Sequence, residues 1–172
     1  MELLLVEKAK KHDREAFAEL MRIHKKSMYK VSKAILKNDE DVADAMQDTI
    51  LTCWEKISSL KSNDYFKTWL IRILINHCKA IYRQKKKVIP NESLPESIAA
   101  TDEYANVEWM ELLNCLDEKY RTVILLYYVE GFKVREIAQI LELSESAIKG
   151  RMGTAKEKLE RLYQSGKVRQ MI

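Results

Sequence analysis

The segment from Lys133 to Leu162 carries two short amphipathic helical patterns separated by a tight turn. Apolar residues recur at spacings of three and four in both patterns, which predicts one buried face on each helix. These residues are Val134, Ile137, Ala138 and Leu141 in the first helix and Ile148, Met152, Ala155 and Leu159 in the second. Leu143 would fill the space at the turn, and Ser144 would cap the second helix. The segment therefore predicts a helix-turn-helix unit.

The outer face of the second helix is predicted to be polar and basic. It would expose Ser146, Lys149, Gly150, Arg151 and Lys156. Such a face suits the major groove, where cations displace counterions from phosphates and hydrogen bonds at base edges select the sequence. A helical hairpin with a solvated basic face that never contacts DNA has the same pattern, so this segment alone leaves both interpretations open.

Scarcity of turn-forming residues favours an all-α chain over one with sheets. Only 4 of 172 residues are glycine and 2 are proline, whereas 47% are hydrophobic and 33% are charged. This length fits one ordinary domain or two small ones, and we expect two small helical domains. The net charge of +4 is too small to indicate a nucleic-acid partner, so the local distribution of charge carries the argument.

Three successive amphipathic helices are predicted in the first half, starting near Asp13, Glu40 and Tyr65. Their inward residues would be Phe17, Leu20, Met21, His24, Met28, Val31 and Ile35 in the first, Val42, Met46, Thr49, Ile50, Cys53 and Trp54 in the second, and Phe66, Trp69, Leu70, Ile73, His77 and Ile81 in the third. We expect each helix to turn this stripe toward the core.

The second and third of these helices carry charge of opposite sign. The outer face of the second begins with Asp39, Glu40, Asp41, Asp44 and Asp48. The third has no acidic residue between Tyr65 and Ile89, and its seven cations are Lys67, Arg72, Lys79, Arg83, Lys85, Lys86 and Lys87. The acidic face would repel DNA and suits a basic protein surface, whereas the basic helix suits nucleic acid. Solvated helix faces whose charges favour the helix dipole are the alternative.

Residues 88–106 separate the two predicted domains. They contain both prolines and four acidic residues but no Lys or Arg, which predicts an acidic flexible linker. Beyond it, helices are expected at 107–116 and 118–130, leading through Gly131 into the helix-turn-helix. Their core would be Leu112, Leu113, Leu116, Val123, Ile124 and Tyr127. We therefore predict a first domain at 1–87, the linker at 88–106, and a second domain at 107–172.

Three sequence segments follow one another in a definite order. They are EDVADAMQDTILTCW at Glu40–Trp54, FKTWLIRILINHCKAIYR at Phe66–Arg83, and the stretch Leu116–Leu159, which includes YRTVILLYYVEG before the helix-turn-helix. In this order and spacing the chain resembles the bacterial sigma-70 family, specifically the small extracytoplasmic-function (group IV) sigma factors of RNA polymerase. The resemblance implies that the first segment binds core polymerase, the second reads and opens the minus-ten promoter element, and the third reads the minus-thirty-five element.

The resemblance also implies which residues act in each segment. Core polymerase would be bound by Asp41, Asp44, Gln47 and Asp48. The minus-ten element would be bound by Lys61, Asn63, Tyr65, Lys67, Arg72, Asn76, Lys79 and Arg83. The minus-thirty-five element would be bound by Ser144, Ser146, Lys149, Arg151 and Lys156. Unstacked bases are best held by aromatic or polar groups beside a cationic track, and the second set has that composition.

The chain departs from the family pattern at three positions. Ala80 stands where Asp is common, Glu142 where Gly is common, and Gly153 near a usual basic residue or His. The first change removes a carboxylate that would face a base or orient the helix. We expect Glu142 to end its helix without a left-handed residue, and Gly153 to cost about 1 kcal/mol relative to Ala.

The implied function is a sigma factor that binds core RNA polymerase, through its clamp and flap, and promoter DNA. The resemblance further implies that an anti-sigma factor controls the protein in response to stress or envelope signals. The protein would act in the cytoplasm, would not be an enzyme and would need no cofactor. Two alternatives remain open: a stand-alone helix-turn-helix regulator that binds duplex DNA without polymerase, and a protein-interaction module whose basic faces hold an acidic partner.

The remaining features suggest no further chemistry. The histidines His12, His24 and His77 lack the spacing of a metal or catalytic motif. The three cysteines, Cys53, Cys78 and Cys115, are expected to be buried, inert thiols of a reducing compartment. The apolar run Leu3–Val6 is too short to span a bilayer, so no direct membrane insertion is expected.

Overall fold

The computed structural model describes residues 1–88 and 107–165, which form helices and turns without a strand. The predicted all-α fold is therefore confirmed. The helices are α1 (Glu2–Lys10), α2 (Arg14–Ile35), α3 (Asp39–Lys56), α4 (Phe66–Val88), α5 (Val107–Asn114), α6 (Glu118–Ile124), α7 (Val134–Leu141) and α8 (Glu145–Gln164). They fall into two compact units, one built from α1 to α4 and one from the later helices, except that residues 139–141 group with the first. The predicted linker, apart from residue 88, lies outside the described residues.

Side chains cap the N-terminal ends of α2 and α3. A carboxylate oxygen of Asp13 accepts a hydrogen bond from the amide of Ala16 at 3.0 Å, and Oδ1 of Asn38 accepts one from the amide of Glu40 at 2.7 Å. Short polar side chains at this position satisfy amides that a helix leaves unpaired. Both helices therefore start within a residue of their predicted positions.

The core of the first unit lies between α2, α3 and α4, with α1 packed on α2. Every residue predicted to face inward on α2 is buried. The largest fully buried side chains of this unit are Leu20, Met28, Ile57, Phe66, Leu70, Ile71, Leu74 and Ile75. Burying one such side chain is worth about 1.5–3 kcal/mol, so this apolar cluster supplies the main driving force for folding the unit.

The predicted inward stripes of α3 and α4 are partly wrong. Seven residues expected in the core are only half-buried: Met46, Ile50, Trp54, Trp69, Ile73, His77 and Ile81. On α4 the buried face consists of Phe66 and Leu70, as predicted, together with Thr68, Ile71, Leu74, Ile75 and Cys78. The reason is that α4 packs against both α2 and α3, which widens its buried face and rotates it away from the predicted stripe. At the edge of this face, His77 Nε2 forms a hydrogen bond with Thr52 Oγ1 at 2.9 Å.

The N-terminal helix α1 is not predicted by the sequence pattern. It packs on α2 and on the two short 3-10 turns between α3 and α4, Ile57–Ser59 and Asn63–Tyr65. Its buried residues are Val6 and Ala9, whereas Leu3 and Leu4 of the apolar run are exposed. No helix within the described residues is long and apolar enough to cross a membrane.

The second unit departs from prediction at its middle helix. The helix expected at 118–130 is α-helical only to Ile124 and continues as a π-helical turn at Leu125–Val129. The extra residue of a π turn rotates the side chains that follow it. Tyr127, predicted in the core, is consequently exposed and packs edge-on against Tyr128.

The three cysteines have different environments. Cys53 and Cys78 are buried in the first unit, as predicted, and burial raises the pKa of the Cys53 thiol to about 12. Cys115 is exposed, contrary to prediction, because Leu113 and Leu116 take the core positions around the end of α5. Its thiol makes a weak hydrogen bond with the carbonyl oxygen of Glu111 at 3.5 Å.

Candidate nucleic-acid and polymerase interfaces

One face of α4, together with Tyr65 of the 3-10 turn just before it, carries polar, cationic and aromatic side chains. Its members follow each other at steps of four and three residues, and at about 100° per residue such steps align them along the helix. They are Tyr65, Trp69, Arg72, Asn76, Lys79 and Arg83, of which Trp69 and Lys79 are half-buried and the others exposed. We call this set the α4 stripe. The structure thus brings five of the eight predicted minus-ten residues onto one surface.

The other three predicted minus-ten residues lie off the α4 stripe. Lys61 and Asn63 belong to the loop before α4, the first exposed and the second half-buried. Lys67 precedes Arg72 by five positions, which places it about 140° away around the helix, and it is half-buried. Lys67 therefore cannot share a surface with the α4 stripe.

The end of α4 is tied to the start of α3 by an ion pair. Lys85 Nζ lies 2.6 Å from Asp41 Oδ2, and the hydrogen bond that Lys85 donates to Asp41 raises the pKa of Lys85, with further support from the charges of Glu40 and Asp44. Asp41, predicted on the outer face, is buried, because α3 packs against α4 and the Asp41 side chain meets Lys85 of that helix. Its carboxylate is therefore turned toward Lys85 within the chain.

The remaining residues of the predicted polymerase site form an exposed face on α3. Asp44, Gln47 and Asp48 are all exposed and lie within about a turn of each other. Leu51, which sequence reasoning missed, is 62% exposed and follows Asp44 by seven residues, so it belongs to the same face. We call these four residues the α3 face. The spacing of Leu51 from the two aspartates was the signal that could have found it.

The helix-turn-helix has the capped second helix that the sequence predicts. Ser144 Oγ accepts a hydrogen bond from the amide of Ala147 at 3.1 Å. The exposed side of α8 carries Ser146, Lys149, Gly150, Gly153 and Lys156. Arg151 is half-buried and lies about 200° around the helix from Lys149, so it lies on the opposite side of α8.

The turn between α7 and α8 contradicts one expectation. Glu142 adopts the left-handed conformation, with φ 56° and ψ 43°, and the amide of Leu143 donates to the carbonyl oxygen of Ala138 at 3.0 Å. A left-handed residue lets the chain reverse within the few positions before the cap at Ser144. The turn therefore uses the conformation for which glycine is usual, but with a glutamate in it.

No group of three or more His, Cys, Asp or Glu side chains is placed to hold a metal ion in the part of the chain that the structure describes. The histidines have other partners. His24 Nε2 lies 2.9 Å from Glu2 Oε1, and the His12 ring packs edge-on against Trp54. These contacts account for both side chains as structural groups.

Two family models match the chain. Residues 20–88 match the model described as Sigma-70 region 2, and residues 106–159 match the model described as Sigma-70, region 4. Together the two matches cover more than half of the chain and occur in the order that the sequence predicts.

Curated relatives and solved structures agree with these matches. The chain is 28% identical to the ECF RNA polymerase sigma factor SigW of Bacillus subtilis, over 94% of this chain and 97% of that protein. It is 29% identical to the RNA polymerase sigma factor CnrH of Cupriavidus metallidurans, over 92% of each. CnrH solved in complex with the cytosolic domain of CnrY aligns with a TM-score of 0.70 at 27% identity, covering 95% of this chain and 97% of that one. The sigma factor RpoE of Bartonella quintana, solved with the anti-sigma factor NepR, shares the fold at 22% identity and a TM-score of 0.72, covering 86% and 96%.

Proposed function

Because the chain belongs to the sigma-70 family, we propose that it is an extracytoplasmic-function sigma factor that binds core RNA polymerase and directs it to specific promoters. The observation that carries the proposal is that two helices of one unit present surfaces of different chemistry. The α3 face is acidic with one exposed leucine, and the α4 stripe is cationic and aromatic. Such surfaces suit a basic protein and a nucleic acid, respectively.

We propose that the two domains divide the promoter between them. Residues 1–87 would bind the polymerase clamp through the α3 face and the minus-ten element through the α4 stripe, with Lys61 and Asn63 at its loop end. Residues 88–106 would link this domain to residues 107–172, whose α8 would read the minus-thirty-five element through its exposed side while the domain meets the polymerase flap. Lys67 and Arg151 lie away from these surfaces, which favours supporting roles for both.

We extend two further properties of the family to this chain. An anti-sigma factor would control it by covering the DNA-binding surfaces; the related CnrH has likewise been solved in complex with another protein, the cytosolic domain of CnrY. As a transcription initiation factor it would act in the cytoplasm and carry out no covalent chemistry.

The test is run-off transcription on fragmented genomic DNA by bacterial core RNA polymerase, with and without the chain, followed by mapping of transcript starts. We expect new starts that share two upstream elements. Sequence-specific DNA binding without new starts would instead identify a stand-alone regulator, and binding to acidic partners without sequence preference at any salt concentration would identify an interaction module.

A further inference from the structure

The last turn of α1 holds the loop that precedes α4. Lys10 Nζ donates to the carbonyl oxygen of Leu60 at 2.7 Å and to Oδ1 of Asn63 at 3.3 Å. In the opposite direction, Ser58 Oγ donates to the carbonyl oxygen of Lys10 at 3.1 Å. Three hydrogen bonds therefore tie this loop to a helix about fifty residues away in sequence.

The contact with Lys10 fixes the orientation of the Asn63 amide. An ammonium group has only donors, so it must engage the carbonyl oxygen of the amide. The amide nitrogen, on the other branch of the side chain, is a donor that this contact does not use. Asn63 is half-buried and, in the sequence, lies between two exposed residues, Lys61 and Tyr65. The loop thus holds an oriented hydrogen-bond donor within two positions of a cation and of an aromatic residue.

We propose that Lys10 is a positioning residue that aims the Asn63 amide nitrogen at an acceptor atom on an unstacked base of the opened promoter. The proposal rests on the proposed function, since it places the loop on the DNA-facing side of the first domain. Unstacked bases expose carbonyl oxygens and ring nitrogens at their edges, Tyr65 offers a ring for stacking, and Lys61 offers a charge for the backbone. A donor held in one direction favours a base with an acceptor at that position.

Substitutions at two positions separate base recognition from loop support. Asn63→Ala removes both ends of the amide. Asn63→Asp keeps an oxygen that can accept from Lys10 and adds charge to that contact. It replaces the amide nitrogen, a donor, with a second carboxylate oxygen, which is an acceptor. Lys10→Met keeps the aliphatic stem and removes the hydrogen bonds. Lys11→Met is the matched control, because its neighbouring ammonium is exposed and pairs with Glu7 on its own helix.

The experiment measures how tightly each holoenzyme binds single-stranded promoter DNA. The probe is a fluorescent oligonucleotide of the non-template strand from a promoter mapped with the wild-type chain, titrated with core polymerase carrying each full-length variant. We expect about a fivefold loss of affinity for Asn63→Ala, the size of one net hydrogen bond, and at least as large a loss for Asn63→Asp. Lys10→Met should lose affinity as well, whereas Lys11→Met should match the wild type.

The outcomes that overturn the proposal are distinct from failure of the proposed function. If Asn63→Asp binds like the wild type while Asn63→Ala does not, the amide only supports the loop. If Asn63→Ala binds like the wild type, the amide does not meet a base. In both cases the wild-type holoenzyme still binds the probe, whereas a chain that is no sigma factor would yield no mapped promoter at all.

Discussion

Lys85 Nζ lies 2.6 Å from Asp41 Oδ2, so one cation of the basic end of α4 is neutralised by α3 rather than offered to DNA. Lys85 also stands about 200° around the helix from Arg83, which belongs to the α4 stripe. The sequence alone counts both as members of one basic cluster, but only Arg83 is placed to meet phosphates.

Salt dependence should therefore distinguish these two cations. The affinity for duplex DNA falls as the salt concentration rises. We expect Arg83→Gln to reduce the steepness of this fall, the slope of log affinity against log salt, by about 1, as loss of one phosphate contact does. Lys85→Gln should leave the slope unchanged, because Lys85 pairs with Asp41 and lies away from the α4 stripe. Fluorescence titrations of duplex DNA with the full chain at several salt concentrations measure this slope. Equal decreases for Arg83→Gln and Lys85→Gln would contradict the masking of Lys85.

Charge reversal on the α3 face should weaken binding to core polymerase. We expect the double variant Asp44→Lys and Asp48→Lys to lose at least tenfold in affinity, since like charges facing each other across an interface cost several kcal/mol. Duplex DNA binding by the free chain should not fall. Glu7→Lys, an exposed reversal on α1, is the control. Unchanged core affinity in the double variant, measured by competition with a labelled wild-type chain, would remove this face from the interface.

Two cations of α8 should differ in their effect on promoter recognition. Lys149 is on the exposed side of the helix, whereas Arg151 is half-buried on the opposite side. We expect Lys149→Ala to weaken binding to the minus-thirty-five element by about 1 kcal/mol or more and Arg151→Ala to lower the stability of the second unit instead. Binding of holoenzyme to a mapped promoter and thermal unfolding of the free chain measure these quantities. The reverse pattern would mean that α8 presents its other side to DNA.

Replacing each of two glycines of the second unit by alanine should have opposite effects on the stability of the chain. Gly153 lies inside α8, and an added Cβ would meet nothing within 4 Å, so Gly153→Ala should stabilise the chain by about 1 kcal/mol. Gly131 has φ of +74°, a conformation strained for alanine, so Gly131→Ala should lower the free energy of unfolding by about 1 kcal/mol. Urea unfolding followed by circular dichroism compares them. A gain for Gly131→Ala would show that this turn relaxes freely.

One ion pair should make the stability of the first unit depend on pH. The hydrogen bond from Lys33, at 2.6 Å, holds the pKa of Asp39 below its usual value. Because the pKa is lower in the folded than in the unfolded chain, the pair stabilises the fold above about pH 4 and this contribution is lost as pH falls through the folded-state pKa. We expect the Tm of Asp39→Asn to fall less steeply than that of the wild type on acidification. Glu7→Gln is the control, and parallel curves for all three chains would show that the pair contributes nothing.

Local sequence signals predict the parts of the fold that depend on a few neighbouring residues. The cap at Ser144 is of this kind, because a short polar side chain needs only amides within three positions. The order of helices and the acidic and basic faces of α3 and α4 also follow from periodicity, and the matches to two family models agree with that order.

Features set by distant contacts could not be predicted in this way. The burial of Asp41 depends on a lysine 44 positions further along, and the buried face of α4 depends on packing against two helices at once. Glu142 takes a strained conformation because two helices must meet within a short turn. The role of α1 was missed because half of its apolar run is exposed and its main polar contacts reach residues 58–63.

Because the three cysteines are unequally buried, the native chain can be labelled with a dye at a single thiol. Cys53 and Cys78 are enclosed in the first unit, whereas the Cys115 thiol is open to solvent in the second. A maleimide dye applied to the folded protein should therefore attach at one position without any substitution. Energy transfer from that dye to a second one on promoter DNA would then follow, in real time, when the helix-turn-helix unit arrives at its element.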